Sequence, residues 1–341
     1  MNRKIRIAQI GTGHDHAPYT YGSICKLVEC FDVIGIAEPN PALRAGIHSN
    51  PYYSNAPIYD VEELLACGEL DAVAIETEEE HATYYAQKFA EKGVAVHLDK
   101  PGTANLQSFE QLIHTLKAAG TPLQMGYMYR YNSLLCEMID RVRLGEIGEV
   151  YSVEAHMSIH HSAEKRKWLS RYQGGMMYFL GCHLIDLILQ IQGIPEKIYP
   201  LNACTGADGV FSEDYGFAVL QYPHGQSFVK TCAEEYNGFA RRQLVICGTR
   251  GTIEVRPIEQ FVERGNGMMK TVAYLTTDKQ EDTPHWDRSV RIESDPFDRY
   301  DGMMREFAQI VAGEKQNPYS YDYELSLFRT LMACCESKEP I

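Results

Sequence analysis

Short apolar runs, each followed by a stretch with helical spacing, recur through the first third of the chain. Ile5–Ile10 predicts a strand, and Ile24, Leu27, Val28 and Phe31 at i, i+3, i+4 and i+7 predict one face of a helix. Residues 33–37 predict a second strand that ends at Glu38-Pro39. Asp60-Val61-Glu62-Glu63 has the spacing of a capping box, opening a helix that stops near Gly68. Ala72–Ile75 predicts a strand, and Ala82, Tyr85, Ala86, Phe89 and Ala90 mark a helix ending at Gly93. Residues 94–98 form a strand running into Asp99-Lys100-Pro101. Ser108 with Gln111 predicts the cap of a helix carrying Leu112, Ile113 and Leu116, and Leu123–Met125 closes the series. Apolar strands alternating with amphipathic helices predict a parallel sheet covered on both faces, an α/β domain over residues 1–125.

The period changes beyond that point. A helix over Ser133–Arg143 ends at Gly145, and then Tyr151, Val153 and Ala155 alternate with Ser152, Glu154 and His156. One helix pattern, residues 183–192, interrupts the alternation. Two hairpins are predicted: Tyr215–Tyr222 turning at His224-Gly225 into residues 227–232, and residues 244–247 turning at 248–251 into 253–255. The second domain, residues 126–341, is therefore expected to be α+β, with a large, mainly antiparallel open sheet. Met304, Phe307, Ile310 and Val311 mark a helix ending at Gly313, and residues 325–335 mark the last; a helix near 300–313 or the last one is expected to pack back on the first domain. Residues 266–298 are polar and irregular, and the pattern assigns them no path.

Composition narrows the class. The chain has 341 residues, 45% hydrophobic and 23% charged, which is the balance of a soluble globular protein of about two domains. Thirty-two basic against forty-six acidic side chains give a net charge of −14, a field that repels phosphate backbones and anionic lipid. Neither nucleic acid nor a membrane is an expected partner, and no apolar run has the length of a membrane span. Arg6 and Gln9 break the opening apolar run, so it reads as a buried strand rather than a signal peptide. Ten scattered cysteines, without a C-x-x-C pair, fit reduced thiols in the cytoplasm.

Candidate chemistry gathers at strand ends. Gly11-Thr12-Gly13 lies between the first strand and first helix, where glycine lets backbone N–H groups approach a pyrophosphate. Glu38 ends the second strand; an acidic side chain there accepts ribose hydroxyls and repels a 2′-phosphate, which favours NAD over NADP. Lys100, at the carboxyl end of a central strand, is positioned to shuttle the proton of a substrate hydroxyl. His14-Asp15-His16 is an unusual insertion of imidazoles beside the dinucleotide turn. A metal reading for it needs a third and a fourth ligand, which His160-His161 supply only if the fold brings them there. Packing of His14 and His16 against the cofactor is the expectation, without a metal. His160-His161 with Lys165-Arg166-Lys167 form a basic island suited to an anionic sugar, or simply a solvated face.

These motifs, in this order, resemble the Gfo/Idh/MocA oxidoreductases (glucose-fructose oxidoreductase, inositol dehydrogenase, rhizopine catabolism) over nearly the whole chain. Ile10-Gly11-Thr12-Gly13 resembles the family's dinucleotide turn, and Asp99-Lys100-Pro101 its Glu-Lys-Pro signature. Glu76-Thr77-Glu78 through His81-Ala82 is similar to its Thr-Pro-Asn…His segment. Gly126 to Asn132, with Tyr129 and Arg130, resembles the opening of its second domain. Trp168, Gly174-Gly175 and Gly181-Cys182-His183-Leu184-Ile185-Asp186 resemble its glycine-rich catalytic stretch, and Gly248-Thr249-Arg250-Gly251-Thr252 its hairpin. The resemblance implies an N-terminal Rossmann domain, a substrate-binding antiparallel sheet domain, and NAD(P)-linked oxidation of a sugar or polyol with Lys100 and His183 catalytic; with Glu38, the expected enzyme is an NAD-dependent dehydrogenase of a sugar, glycoside or cyclic polyol. Cofactor contacts are expected from Gly11, Thr12, Gly13, His14, His16, Glu38, Glu76, His81, Asp99 and Lys100, and substrate contacts from Tyr129, Arg130, His160, Trp168 and Asp186. The resemblance also implies an oligomer, expected to be a homodimer or homotetramer built through the second sheet. The family's aspartate four residues before the histidine is replaced by Phe179, which removes a hydroxyl anchor.

The central expectation is that Lys100 and His183 act together beside the nicotinamide. Two alternatives follow from the same resemblance: cleavage of a glycoside by transient oxidation on bound NAD, and a non-catalytic nucleotide-sensing regulator. Retention of both Lys100 and His183 speaks against the regulator.

Overall fold

The computed structural model describes residues 3–263, 267–278 and 289–336. The chain divides into two compact units, one of residues up to Met128 with Tyr300–Ser326, the other of Tyr129–Arg299 with the segment from Leu327 onward.

In the first unit, β1 (Ile5–Ile10), β2 (Phe31–Ala37), β3 (Ile58–Tyr59), β4 (Ala72–Ile75), β5 (Ala95–Leu98) and β6 (Leu123–Met125) form one sheet in the order β3-β2-β1-β4-β5-β6. Every pairing is parallel. The order reverses between β1 and β4, the switch point where sheets of this kind bind ligands. Both β4 and β5 are buried along their whole length, as strands covered on both faces must be. The connecting helices are α1 (Ala17–Lys26), α2 (Pro41–Gly46), α3 (Val61–Ala66), α4 (Glu79–Ala90) and α5 (Leu106–Ala119).

Two expectations of element bounds are corrected. The apolar spacing through Phe31 overruns α1: the helix closes at Lys26, Val28 is 62% exposed, and Phe31 opens β2. Phe31 keeps its buried character because it faces the core from a strand, not from the helix. The cap of α5 is Asn105, whose side chain accepts from the Ser108 N–H at 2.9 Å, so Ser108 lies inside the first turn.

The second unit contains α6 (Ser133–Arg143), β7 (Val150–Ser158), α7 (Ala163–Leu169), α8 (Cys182–Gln192), β8 (Lys197–Pro200), β9 (Tyr215–Tyr222), β10 (Gly225–Cys232), β11 (Gln243–Gly248), β12 (Gly251–Val255), β13 (Gln260–Phe261), β14 (Met269–Lys270), β15 (Val272–Thr277) and β16 (Val290–Glu293). Eight of these strands make a sheet in the order β16-β15-β12-β11-β7-β10-β9-β8, antiparallel except for the parallel pair β7–β10. Burial alternates strictly along β9, the mark of a sheet with one covered face. α8 packs on β7 and β10 and is buried from Cys182 through Leu189. β15 and β16 fall in the stretch to which the hydrophobic pattern assigned no path; residue 266 and residues 279–288 of that stretch lie outside the described residues. Two more helices follow, α9 (Asp301–Val311) and α10 (Tyr321–Cys334).

Candidate functional site

β1 ends at Ile10 and the chain turns through Gly11 at φ +85°. A Cβ on Gly11 would stand 2.5 Å from Thr77 Cγ2 and 2.7 Å from Thr77 Cα, so glycine alone lets this turn lie against the end of β4. Thr12 donates its hydroxyl to Glu38 Oε2 at 2.6 Å, and the Asn40 N–H donates to Glu38 Oε1 at 2.8 Å. These bonds fix the Glu38 carboxylate at the tip of β2, on the wall of a cleft of about 270 Å³ that Gly13, Asn40, Thr77, Glu78 and His81 also line. No lysine or arginine is among the lining residues. Arg44, the nearest downstream arginine, is held by Tyr59 O at 3.0 Å and Asp60 Oδ1 at 2.9 Å. The first turn of α1 carries no acidic residue, so its N-terminal dipole is open to an anion.

Beside the turn, four predicted residues meet. His14 Nδ1 lies 2.9 Å and His16 Nδ1 3.0 Å from the same oxygen, Asp99 Oδ2. Asp99 Oδ1 accepts the Lys100 N–H at 2.6 Å. Gly126 permits the close approach, since a Cβ on it would sit 2.7 Å from Asp99 Oδ1. Glu76, fully buried at the end of β4, faces His14 Nδ1 at 3.7 Å and His97 Nε2 at 4.0 Å; Thr77 and Glu78, not Glu76, line the cleft. Burial and then the neighbouring Asp99 push the Glu76 carboxyl well above its usual range. For Asp99 burial works against ionisation, but His14 and His16 outweigh it and hold the carboxyl well below that range. Burial likewise opposes a charge on His14, yet Asp99 raises it, whereas at His16 burial wins and the value falls to about 4. Lys100 is 1% exposed at the carboxyl end of β5.

In the second unit His183 is 1% exposed on α8, its ring 5.2 Å from that of Tyr129. A π-helical turn, Met177–Gly181, precedes α8 and carries Phe179. Arg130 grips Asp186 through Nε at 3.1 and 3.0 Å and a terminal nitrogen at 2.8 Å, and Gln190 adds a bond at 3.0 Å. The Tyr129 hydroxyl donates to Glu259 Oε1 at 2.7 Å. Arg130, Asp186 and Tyr129, expected at substrate, are thus tied into buried networks of the unit itself. His160 is exposed and stacks on Tyr236 at 4.1 Å. Trp168 stands edge-on to Phe179 at 5.7 Å, with Lys165 Nζ 3.7 Å above its ring.

Sequence reasoning did not foresee the pairing of both imidazoles with Asp99, because the histidines and the aspartate are separated by more than eighty positions. It also missed Thr77, Glu78 and Asn40 in the cleft; the strand-end position of the first two was the available signal.

A glycine turn at the switch point of a parallel sheet, with a carboxylate at the tip of β2, defines a dinucleotide-binding fold joined to a sheet domain. Residues 5–127 match the model of an oxidoreductase family with NAD-binding Rossmann fold, and residues 136–254 that of the GFO/IDH/MocA C-terminal domain. The chain belongs to the Gfo/Idh/MocA oxidoreductase family. It is 25% identical over 197 residues to the uncharacterized oxidoreductase YhhX of Escherichia coli (strain K12), covering 57% of this chain and 55% of that protein. It is 26% identical over 282 residues to D-xylose 1-dehydrogenase (NADP(+)) 2 of Haloferax volcanii, covering 82% and 81%. The chain thus spans about half the length of YhhX in that alignment. The YhhX crystal structure superposes with TM-score 0.77 at 22% identity, over 99% of this chain and 98% of that one. Aldose-aldose oxidoreductase from Caulobacter crescentus, complexed with glycerol, superposes with TM-score 0.79 at 18% identity, over 97% and 96%. These two superpositions speak for the fold. No helix among the described residues is long and apolar enough to cross a membrane.

Proposed function

We propose that the protein is an NAD-dependent dehydrogenase that oxidises a hydroxyl of a sugar, glycoside or cyclic polyol. The observation that carries this reading is a lysine, Lys100, buried at the carboxyl end of β5 in the unit whose glycine turn is built for a dinucleotide. The turn at Gly11 and an α1 N-terminus with no acidic residue in its first turn fit a pyrophosphate, and the Glu38 carboxylate in a cleft lined by no lysine or arginine fits an unphosphorylated ribose. Gly11, Thr12, Gly13, Glu38 and His81 would hold the cofactor, which when bound supplies the hydride acceptor. Lys100 takes the proton of the reacting hydroxyl, and His183 is proposed to bind substrate. Arg130 and Asp186 position the helix that carries His183. The sugar class rests on the names of the xylose dehydrogenase and aldose-aldose oxidoreductase that the chain resembles. The xylose relative is named for NADP(+); the choice of NAD here rests on Glu38.

A panel of sugars, polyols and glycosides offered with NAD or NADP, reading reduced cofactor and substrate loss separately, tests the proposal. The expected result is reduced cofactor in step with substrate loss and at least tenfold preference for NAD. Substrate loss without reduced cofactor contradicts net oxidation, and preference for NADP contradicts the role given to Glu38.

A further inference from the structure

We infer that His14, His16 and Asp99 form a binding site for one divalent first-row transition ion, of the Zn²⁺ class. One ligand atom from each residue lies within 4.8 Å of the other two. Both histidines present Nδ1, and both face Asp99 Oδ2, at 2.9 and 3.0 Å. Around a Zn²⁺ ion with bonds of about 2.1 Å, tetrahedral ligand atoms stand about 3.4 Å apart, so each histidine needs to move about half an ångström from Asp99 Oδ2.

The outer atoms of the cluster follow the pattern of a metal site. His14 Nε2 is buried, meets no donor, and faces the Glu79 carboxylate at 3.8 Å. Nδ1 accepts the His16 N–H at 3.2 Å, a bond that an ion on Nδ1 would replace, while Nε2 is left facing the Glu79 carboxylate. Metal-bound histidines characteristically turn their second ring nitrogen to a carboxylate in this way. A second observation is independent of those three residues. Glu76 is 0% exposed, neither of its oxygens meets a donor in hydrogen-bond geometry, and Oε2 points into the cluster 3.7 Å from His14 Nδ1. It is placed to become a fourth ligand. Two imidazoles with one or two carboxylates suit zinc, cobalt or nickel better than the all-oxygen ions magnesium and calcium. The His16 side chain is 17% exposed, which leaves the ion a way in.

The test needs neither cofactor nor sugar, so its outcome is separate from that of the proposed dehydrogenase activity. The purified full chain, stripped with a chelator, is dialysed against Zn²⁺ and its metal content measured; a Co²⁺ titration then reads visible ligand-field bands. One equivalent per chain is expected, with roughly tenfold or greater loss of affinity in His14→Gln and His16→Gln and roughly tenfold loss in Glu79→Gln, each checked for fold by circular dichroism. Proton NMR of the Co²⁺-loaded wild-type chain is expected to show two strongly shifted exchangeable ring N–H signals, one per ligating histidine, and this readout needs no variant. Retention of no ion by the wild type, undiminished binding in both histidine variants, or absence of shifted ring signals overturns the inference.

Discussion

At the scale of single residues, the dinucleotide turn depends on what Gly11 lacks. Ala at this position meets Thr77 and carries the left-handed backbone penalty of about 1–2 kcal/mol, so Gly11→Ala is expected to lower the melting temperature and weaken NAD binding at least tenfold, read by thermal denaturation and cofactor titration. Glu38→Ser removes the carboxylate from the cleft and is expected to reduce the NAD-over-NADP preference by an order of magnitude in the same titration. The strand-end positions of both residues were legible in the sequence. The meeting of His14 and His16 with Asp99 was not, since chain spacing carries no information about which strand ends become neighbours. Asp99 was expected at the cofactor, and its histidine partners emerge only once β1 and β5 flank β4 in one sheet.

Elements were legible where the hydrophobic period was unbroken. β1, β4, β6, α6 and β9 have the bounds their patterns predict. Ends were less legible, for physical reasons seen in α1 and α5. Phe31 satisfies the helical period of α1 by coincidence, because a buried residue at the start of a strand looks the same in one dimension. Ser108 and Asn105 are both good capping residues, and only the backbone path decides between them. Asn105→Ala is expected to cost about 1 kcal/mol in a chemical denaturation series, while Ser108→Ala stays within about 0.5 kcal/mol. A result in which Ser108→Ala is the costlier change contradicts the cap. The π-helical turn before α8 was invisible to a search for a 3.6-residue period, yet it sets the face on which Phe179 stands relative to His183.

For the whole molecule, stability and chemistry lean on buried charges that are paired. Glu259 is fully buried and accepts from Arg242 at 2.6 Å, Arg299 at 2.6 Å and Tyr129 at 2.7 Å. Burial raises its carboxyl pKa, but Arg299 and Arg242 outweigh that and hold it below the ordinary 4.5. A carboxyl with a depressed folded value contributes stability above its unfolded pKa and loses that contribution as pH falls through the folded value. Melting temperature is therefore expected to fall more steeply below pH 4.5 in the wild type than in Glu259→Gln, which at neutral pH should be less stable by about 3–5 kcal/mol. The parallel sheet, the mainly antiparallel sheet and the family follow from patterns of whole segments, and these were legible; the strand orders and the networks around Glu259 and Asp186 were not, because each joins distant segments. The most direct measurement on the dehydrogenase reading is steady-state turnover of Lys100→Ala beside its NAD dissociation constant. The reading predicts that the variant turns over roughly a hundredfold to ten-thousandfold more slowly, with NAD affinity within about threefold of wild type. Near-normal turnover in that variant, with the cofactor still bound, contradicts it.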